Sequence, residues 1–432
     1  MADEPPSAGE ELRERRAERA FQVQVQRHLT RNYVAHLLHG MLGQTGFRLL
    51  NAPTFLPAYL MLLSGGSELV VGLAVSLQAL GMTVTPMIGA SLIEHRVRVL
   101  PVGFYTGGAM RAMVLMIGVA GLVLPPESAL VAILVFLTLL GVFQGMQGVI
   151  FNFLLSKVIP PSKRGRLTGL RSFLAGIISA GVAWLSGSLL IGATPTAAGY
   201  SATFILAFVL TTIGLVVLIA IREPVPPRVR PKVSLATRMR DVPGLLRDDR
   251  PFTHYVLART IATMGRMALP FYILYAGQSI GLTGHTLGIV TFAFTIAGTV
   301  SSLVWGALSD RYGFRAAFLL SLGVWVLSTL ALMLSSGLPA TCVAFAGIGA
   351  AVQGFQNASV NLSLEFGNRD DLPVRIAIAN MVSEVAGTVG PLLGGALAAA
   401  AGYGAVFVAS MGFLAVGGVV VALRVPEPRR AR

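Results

Sequence analysis

The sequence contains a single cysteine and few charged residues. Cys342 lies in an apolar segment, and a lone cysteine excludes both an internal disulfide framework and a cysteine-based metal site. Only 12% of the 432 residues are charged, whereas 54% are hydrophobic. A soluble domain has a charged fraction of about 25%, and a single soluble core stops growing near about 250–300 residues. The chain is therefore predicted to use lipid as part of its solvent.

Motifs for nucleotide, metal or acid–base chemistry are also missing. No Gly-x-x-x-x-Gly-Lys-Ser/Thr loop occurs, which excludes an ATP motor of that type. His36 and His39 lie three residues apart, as a metal pair would, but no third ligand accompanies them, and histidines at a membrane interface are the alternative. The apolar runs contain no acid–base pair. We expect no metal, no cofactor and no enzymatic activity.

Twelve apolar runs are each long enough to cross a hydrocarbon core, which needs about 20 residues. These predicted spans 1 to 12 are 33–63, 68–92, 98–123, 129–158, 165–191, 200–221, 252–277, 285–308, 314–335, 339–367, 374–400 and 403–424. An even number of spans places both termini on one side of the membrane. The start of the chain is acidic, and we expect no cleavable apolar leader. The prediction is an all-α, multi-pass protein of the cell (inner) membrane.

The net charge of +14 is distributed unevenly along the chain. Five of the 33 basic residues lie inside spans, namely Arg48, Arg111, Arg171, Arg259 and Arg266. The others lie in the N-terminal arm, in or at the edge of alternate connections, or in the tail, and the odd-numbered connections contain neither Lys nor Arg. This positive-inside pattern predicts cytoplasmic termini and contact with anionic lipid rather than a nucleic-acid partner.

A polar stretch divides the chain almost in half. Residues 223–250 are rich in Pro, Arg and Asp, and we interpret them as a cytoplasmic linker. The linker separates two predicted six-helix bundles, 32–222 and 251–425. Residues 1–31 are predicted to form a cytoplasmic N-terminal arm, and residues 426–432 a cytoplasmic tail.

The two halves carry an internal repeat in spans 4 and 10. Three amides recur there at one constant offset: Gln144, Gln147 and Asn152, then Gln353, Gln356 and Asn361. The same offset relates Arg166 to Arg375 in the connections that follow these spans. Such a repeat is typical of transporters, in which two related bundles rock about a site between them.

The connection between spans 8 and 9 carries a family motif. Residues 306–315 read Gly-Ala-Leu-Ser-Asp-Arg-Tyr-Gly-Phe-Arg, which is similar to the loop signature Gly-x-Leu-x-Asp-Arg-x-Gly-x-Arg of the major facilitator superfamily. A degenerate copy at 90–98 lies between spans 2 and 3. With the repeat and the topology, the resemblance covers nearly the whole chain. It implies two pseudo-symmetric six-helix bundles that work by alternating access.

The resemblance also implies a gating role for the two loops. A charge-assisted contact at the interface would have to break when the cytoplasmic side opens. The alternative is topology anchoring with a tight glycine turn. The predicted gating residues are Gly306, Asp310, Arg311, Gly313 and Arg315 in one loop, and Glu94 and Arg98 in the other.

Spans 1, 4, 7 and 10 line a central cavity if the resemblance holds. It therefore places Gln144, Gln147, Gln353 and Gln356 at a substrate site, where amides can both donate and accept hydrogen bonds. Asn152 and Asn361 belong to the same predicted set of substrate-binding residues. The alternative is a glutamine clamp that joins the halves.

Arginines at mid-depth in equivalent spans suggest an anionic ligand. Arg48 in span 1 and Arg266 in span 7 could hold a carboxylate or phosphate by bidentate bonding. The alternative is pairing with an internal acid. For Arg111 and Arg171 we expect a structural ion pair or an interface contact.

Glu384, in span 11, is the one acid clearly inside a span. A buried carboxylate needs a counter-ion, a proton or a water-filled cavity. Two hypotheses follow, a proton carrier or the counter-ion of an intramembrane arginine.

Together these patterns predict a secondary active transporter for a small organic solute. An anionic solute and proton coupling are options within this prediction. The alternatives are a drug or metabolite efflux pump and a transport-inactive sensor or scaffold. The expected partners are a small-molecule substrate and the lipid bilayer, with protons as an option, and the expected state is a monomer.

Overall fold

The computed structural model describes residues 8–226, 247, 249–366 and 372–426. Within these residues the chain is helical and has no β-strand. Nine of the described helices are long and apolar enough to cross a membrane. All twelve predicted spans correspond to helical segments, so the prediction of an all-α polytopic fold is confirmed.

Spans 1 and 7 fall outside that count because each is interrupted. Span 1 consists of the helices Leu29–Asn51 and Phe55–Leu63, and Pro53 between them has no N–H to continue the first helix. Span 7 comprises Arg250–Met264, a 3₁₀ turn over Gly265–Ala268, and Leu269–Ile280. Both interruptions lie at mid-depth, where irregular backbone needs a protein or aqueous cavity beside it.

Spans 11 and 12 form one run of helix, Leu372–Arg424, which explains the rest of the difference. The run is broken at Gly402, whose φ of 78° is left-handed and costs a residue without a Cβ little. The other eight spans are Glu68–Ile93, Leu100–Val123, Pro126–Val158, Pro161–Leu185, Ala197–Val217, Gly284–Tyr312, Phe314–Met333 and Gly337–Ser363. A further helix, Ala8–Arg27, lies in the predicted arm.

The two ends of the predicted linker are anchored in the same manner. Before it, Glu223 pairs with Lys157 at 2.7 Å and accepts hydrogen bonds from the backbone N–H groups of Val99 and Leu100. After it, Asp249 caps the first helix of span 7 and pairs with Arg375. Each half thus binds its own linker end through a basic residue. Residues 227–246 and 248 of the linker, the tail from 427 and the first seven residues lie outside the described residues.

Contacts between the halves lie at mid-depth and toward the side whose connections lack Lys and Arg, called here the non-basic side. There the Thr54 and Thr291 hydroxyls lie 2.6 Å apart, and Tyr403 donates to Glu68 at 3.2 Å. The backbone N–H of Gly284 donates to the carbonyl of Gly192 at 2.7 Å. The halves are therefore closed against each other on the non-basic side.

Close backbone contact at Gly284 leads to a prediction. A Cβ at this position would lie 2.1 Å from the carbonyl oxygen of Gly187 in the other half, so Gly284→Ala must separate the halves there. Overpacking of this kind costs about 1–3 kcal/mol. We expect a cysteine introduced at Thr54, in a Cys342→Ser background, to react roughly 10-fold faster with a thiol reagent from the non-basic side.

Gly404→Ala is the matched control, because a Cβ at Gly404 meets nothing within 4 Å. Equal reactivity of the Thr54 cysteine in the Gly284→Ala protein and in this control would show that the contact does not hold the closed side together.

Candidate functional site

A cavity of about 480 Å³ lies between the two halves at mid-depth. The first half lines it with Arg48, Asn51, Gln78 and Gln144, from spans 1, 2 and 4. The second half contributes Arg266, Gln353, Gln356 and Glu384, from spans 7, 10 and 11. Its size suits a small organic molecule, since ligand pockets commonly measure about 300–1,000 Å³. Polar groups from both halves thus converge on one cavity.

A chain of amides organises the wall from the first half. Gln78 Nε2 donates to Asn51 Oδ1 at 2.9 Å and lies 3.2 Å from Gln144 Oε1. The NH₂ group of Asn51 also donates to the carbonyl of Phe47 at 2.9 Å, whereas that of Gln144 remains as a donor. Sequence reasoning did not single out Asn51 or Gln78. The available signals were an amide next to Pro53 and a glutamine in the middle of span 2.

In span 10, Gln353 is hydrogen-bonded within its own helix, whereas Gln356 extends into the cavity. Gln353 Nε2 donates to Asn357 Oδ1 at 3.0 Å, and Gln356 is exposed in the cavity. With Gln144 bonded to Gln78, neither Gln144 nor Gln353 forms the alternative clamp between the halves in this conformation. These side chains are therefore held in place at the cavity wall.

Three predicted binding amides lie outside the central cavity lining. Asn152 is exposed nearer the end of span 4, and Asn361 donates to the carbonyl of Asn357 in its own helix at 2.8 Å. Gln147 is buried and lines a neighbouring recess in the first half. Of the six repeated amides, only Gln144, Gln353 and Gln356 line the central cavity.

Arg48 reaches across the cavity to the other half. Its Nη1 donates to Thr299 Oγ1 at 3.2 Å, and its Nη2 donates to the carbonyl of Ser172 at 3.3 Å. Gln44 Oε1, at 3.5 Å, is a weaker partner. These partners are neutral, so the positive charge of Arg48 is not cancelled by them.

Arg266 and Glu384 form the ion pair of the cavity. Arg266 Nη1 lies 3.9 Å from Glu384 Oε1, and the two side chains are 37% and 31% exposed. The 3₁₀ turn in span 7 carries Arg266, while Glu384 comes from span 11. A contact this long between partly exposed groups is loose. Both charges therefore face the space that a solute would occupy.

The predicted gating loop anchors neighbouring helices. Gly313 ends span 8 with a φ of 89°, a left-handed conformation that favours glycine. Arg315 Nη2 donates to the carbonyl of Ala422 near the end of span 12 at 2.7 Å. The guanidinium of Arg311 lies 5.2 Å from the ring centre of Tyr312. In this conformation Arg315 thus joins the start of span 9 to the end of span 12, within the second half.

The remaining predicted gating residues lie at the surface. Asp310 and Arg98 are exposed, and Glu94 ends the helix of span 2. A Cβ at Gly306 would meet nothing within 4 Å, so this face of span 8 is unpacked here.

Two repeated helical bundles with a polar cavity between them are the architecture of a membrane transporter. The family model described as Major Facilitator Superfamily matches residues 38–262 and 255–432. The chain belongs to this superfamily.

The comparisons also identify relatives at several distances. An uncharacterized MFS-type transporter of Mycobacterium tuberculosis is 32% identical over 139 residues, which cover 32% of this chain and 24% of the relative. The chain thus matches about a quarter of that protein's length. This match adds no substrate, because the relative's name states none.

Solved structures share the fold at low identity. A D-xylose–proton symporter aligns with a TM-score of 0.70 at 12% identity, over 93% of this chain and 99% of the symporter. A variant of the nucleoside transporter NupG aligns with 0.69 at 12% identity, over 94% and 100%. A bacterial homologue of the iron transporter ferroportin, solved facing inward, gives 0.66 at 12% identity, over 91% and 98%. These likenesses confirm the fold of two six-helix halves.

Proposed function

We propose that the protein is a proton-coupled secondary transporter that moves a small organic anion across the cytoplasmic membrane. The observation that carries the proposal is the loose contact between Arg266 and Glu384 in a cavity that also contains Arg48. Two arginines supply the planar donor pairs that chelate a carboxylate or phosphate. The two come from equivalent spans of opposite halves, so one anion could be held by both.

Competition for Arg266 would couple the solute to protons. An ionised Glu384 occupies Arg266, and a solute anion that enters the cavity must displace it. When Glu384 takes up a proton, its charge is neutralised and Arg266 becomes available to the anion. Proton and solute would then bind together and leave together, which is the requirement for symport.

The position of the contacts between the halves supports alternating access. The halves are closed on the non-basic side, and the basic side is proposed to face the cytoplasm by the positive-inside rule. Rocking of 32–222 against 251–425 would open the contacts at Thr54 and Gly284 and close the basic ends. Residues 306–315 are proposed to pack against the first half in that closed state. We propose a monomer as the working unit.

The solved relatives support the class of substrate only in general terms. One of them carries D-xylose with protons and another carries nucleosides, by their names. Both solutes are small and polar, as the cavity here would require. The anionic character proposed for this chain comes from its own arginines.

Flux measurements in proteoliposomes test the proposal. We expect purified protein to take up at least one of a panel of radiolabelled carboxylates and sugar phosphates when a pH gradient, acid outside, is imposed. Empty liposomes are the control. Uptake of neutral solutes with no uptake of anions would reject the anionic substrate. Binding of an anion without flux under any gradient would reject transport and favour a sensor.

A further inference from the structure

A second recess of about 320 Å³ lies in the first half, beside the central cavity. It shares Arg48 and Gln144 with the cavity and continues toward the basic side as far as Gln147 and Arg171. Spans 1, 3, 4 and 5 form its walls, so all its lining residues belong to one half.

Arg171 brings an incompletely bonded charge to this recess. The residue is 8% exposed, and its Nε and Nη1 are buried without a hydrogen-bond partner. Its guanidinium carbon lies 4.9 Å from the ring centre of Phe151. Gly40 lets the stem of Arg171 cross span 1, because a Cβ there would lie 1.6 Å from Arg171 Cδ. Packing therefore holds the Arg171 side chain at the wall of the recess, and two of its nitrogen atoms have no hydrogen-bond acceptor.

Arg111 adds a second buried cation from span 3. It is 3% exposed, and it donates from Nε to the carbonyl of Thr211 at 2.6 Å and from Nη1 to that of Gly107 at 2.7 Å. Carbonyl oxygens satisfy these donors but leave the positive charge in place. Guanidinium groups do not deprotonate in proteins. With Arg48, three permanent charges thus line one small recess.

The expected acid partners are absent from the part of the first half that the structure describes. None of its acids with described side chains lines the recess: Glu18, Glu68, Glu94, Glu127 and Glu223. Of the two expected roles, a structural ion pair or an interface contact, the bond of Arg111 to Thr211 in span 6 fits the interface contact. Spans of a membrane protein contain few acids, and Glu223, near the end of the first half, pairs with Lys157. Buried charge without a counter-ion is strongly unfavourable.

The neighbouring polar groups favour an anion. Gln147 Oε1 accepts from Thr106 Oγ1 at 2.6 Å, which leaves its NH₂ group as a donor at the recess. His39 Nδ1 donates to the carbonyl of Gly214 at 2.8 Å. His36 packs behind the recess, and both of its ring nitrogens are buried without a partner. The charged or titratable groups around the recess are thus all bases.

We propose that the recess binds one compact oxyanion, a phosphate, sulfate or carboxylate group, between Arg111, Arg171 and Gln147. The anion supplies the counter-charge that the described chain lacks. Its source is either the anionic group of the transported solute or an inorganic ion that stays bound. Binding in this recess needs only the first half's residues, so it stands whether or not the protein transports anything.

Thermal unfolding of the detergent-purified protein tests the proposal. Inorganic phosphate is titrated against chloride, which is not an oxyanion, at constant ionic strength, while tryptophan fluorescence reports the unfolding midpoint. We expect saturating phosphate to raise the midpoint by about 2–4 °C. Arg171→Gln and Gln147→Leu should each lose most of this rise, and their midpoints in chloride show whether they fold.

Arg259→Gln is the matched control in the second half. Arg259 is also buried, at 8% exposure, but it bonds Asn380 and does not line the recess. It should keep the full rise with phosphate. No rise for phosphate, sulfate or acetate in the wild-type protein would overturn the proposal. An equal rise in wild type, Arg171→Gln and Gln147→Leu would do the same.

The two sources of the anion are separated in vesicles. Proteoliposomes loaded with radiolabelled phosphate should release it through the wild-type protein if the bound anion is the transported solute. Retention of phosphate, together with an intact thermal shift, identifies an inorganic ion held in place. Both outcomes support the site and assign its occupant.

Discussion

Glu384→Gln is expected to abolish the response of transport to a pH gradient while solute binding survives. The glutamine has the shape of a protonated glutamate, so it no longer competes for Arg266, which lies 3.9 Å from Glu384 in the native protein. Proteoliposomes that contain the variant should exchange internal for external solute but should not accumulate it against its gradient.

Solute affinity provides a second readout of the same substitution. In the wild-type protein, affinity for the anion should fall as pH rises, because ionised Glu384 then occupies Arg266. In the variant it should stay constant. Glu127→Gln, at an exposed position at the start of span 4, should behave as wild type. Accumulation driven by a pH gradient in the Glu384→Gln protein would rule out the proton carrier and leave the counter-ion role.

Arg266→Gln should lower affinity for an anionic solute by about 10–100-fold, since a hydrogen bond to a charged group contributes about 1.5–3 kcal/mol. Arg266→Lys should recover part of the loss, because it keeps the charge but not the planar pair of donors. Arg48→Gln should have a similar effect on affinity. It also removes the contact with Thr299, so Arg266 gives the cleaner measurement.

Equilibrium binding of the anion and of a neutral analogue measures the effect. The neutral analogue should bind the wild-type and Arg266→Gln proteins equally well. Arg259→Gln, in the same span but bonded to Asn380, is the matched control. An equal loss for both ligands would mean that Arg266 shapes the cavity without binding the anion.

The spans were predictable because the bilayer imposes long apolar runs and a one-sided distribution of basic residues. The interruptions were not predictable from hydropathy, because each involves only three or four residues. That is too few to change the mean hydropathy of a whole span. Pro53 was a visible signal for the first of them, because proline cannot continue the hydrogen bonding of a helix. Pro270 was the comparable signal for the second, the turn over Gly265–Ala268, because its missing N–H cannot bond the carbonyl of Arg266.

Individual site residues were predictable to within about one helical turn. Gln144 and Gln353 lie in the cavity lining, as their mid-span positions suggested. Gln147 lies three residues further, which turns it by about 60° and moves it by about 4.5 Å along the helix axis, into the recess. Asn152 and Asn361 lie further still and leave the lining.

Unequal numbers of acids and bases in the spans were a signal that sequence reasoning did not use fully. Five arginines and one clear acid occupy the spans, so internal pairing could not serve every arginine. Packing then decided which of them remained without a partner. Only the structure shows that Arg111 and Arg171 share one recess.

The interruption of span 1 also deprives a main-chain carbonyl at the cavity wall, that of Leu50, of its helical donor. The N–H of Thr54 donates to the carbonyl of Ala52 at 2.8 Å, so it is not the donor that a continuous helix would offer to the carbonyl of Leu50. Leu50, Ala52 and Pro53 border the central cavity. Recognition through the main chain persists when side chains are replaced, so alanine scanning of this wall will undercount what a solute contacts.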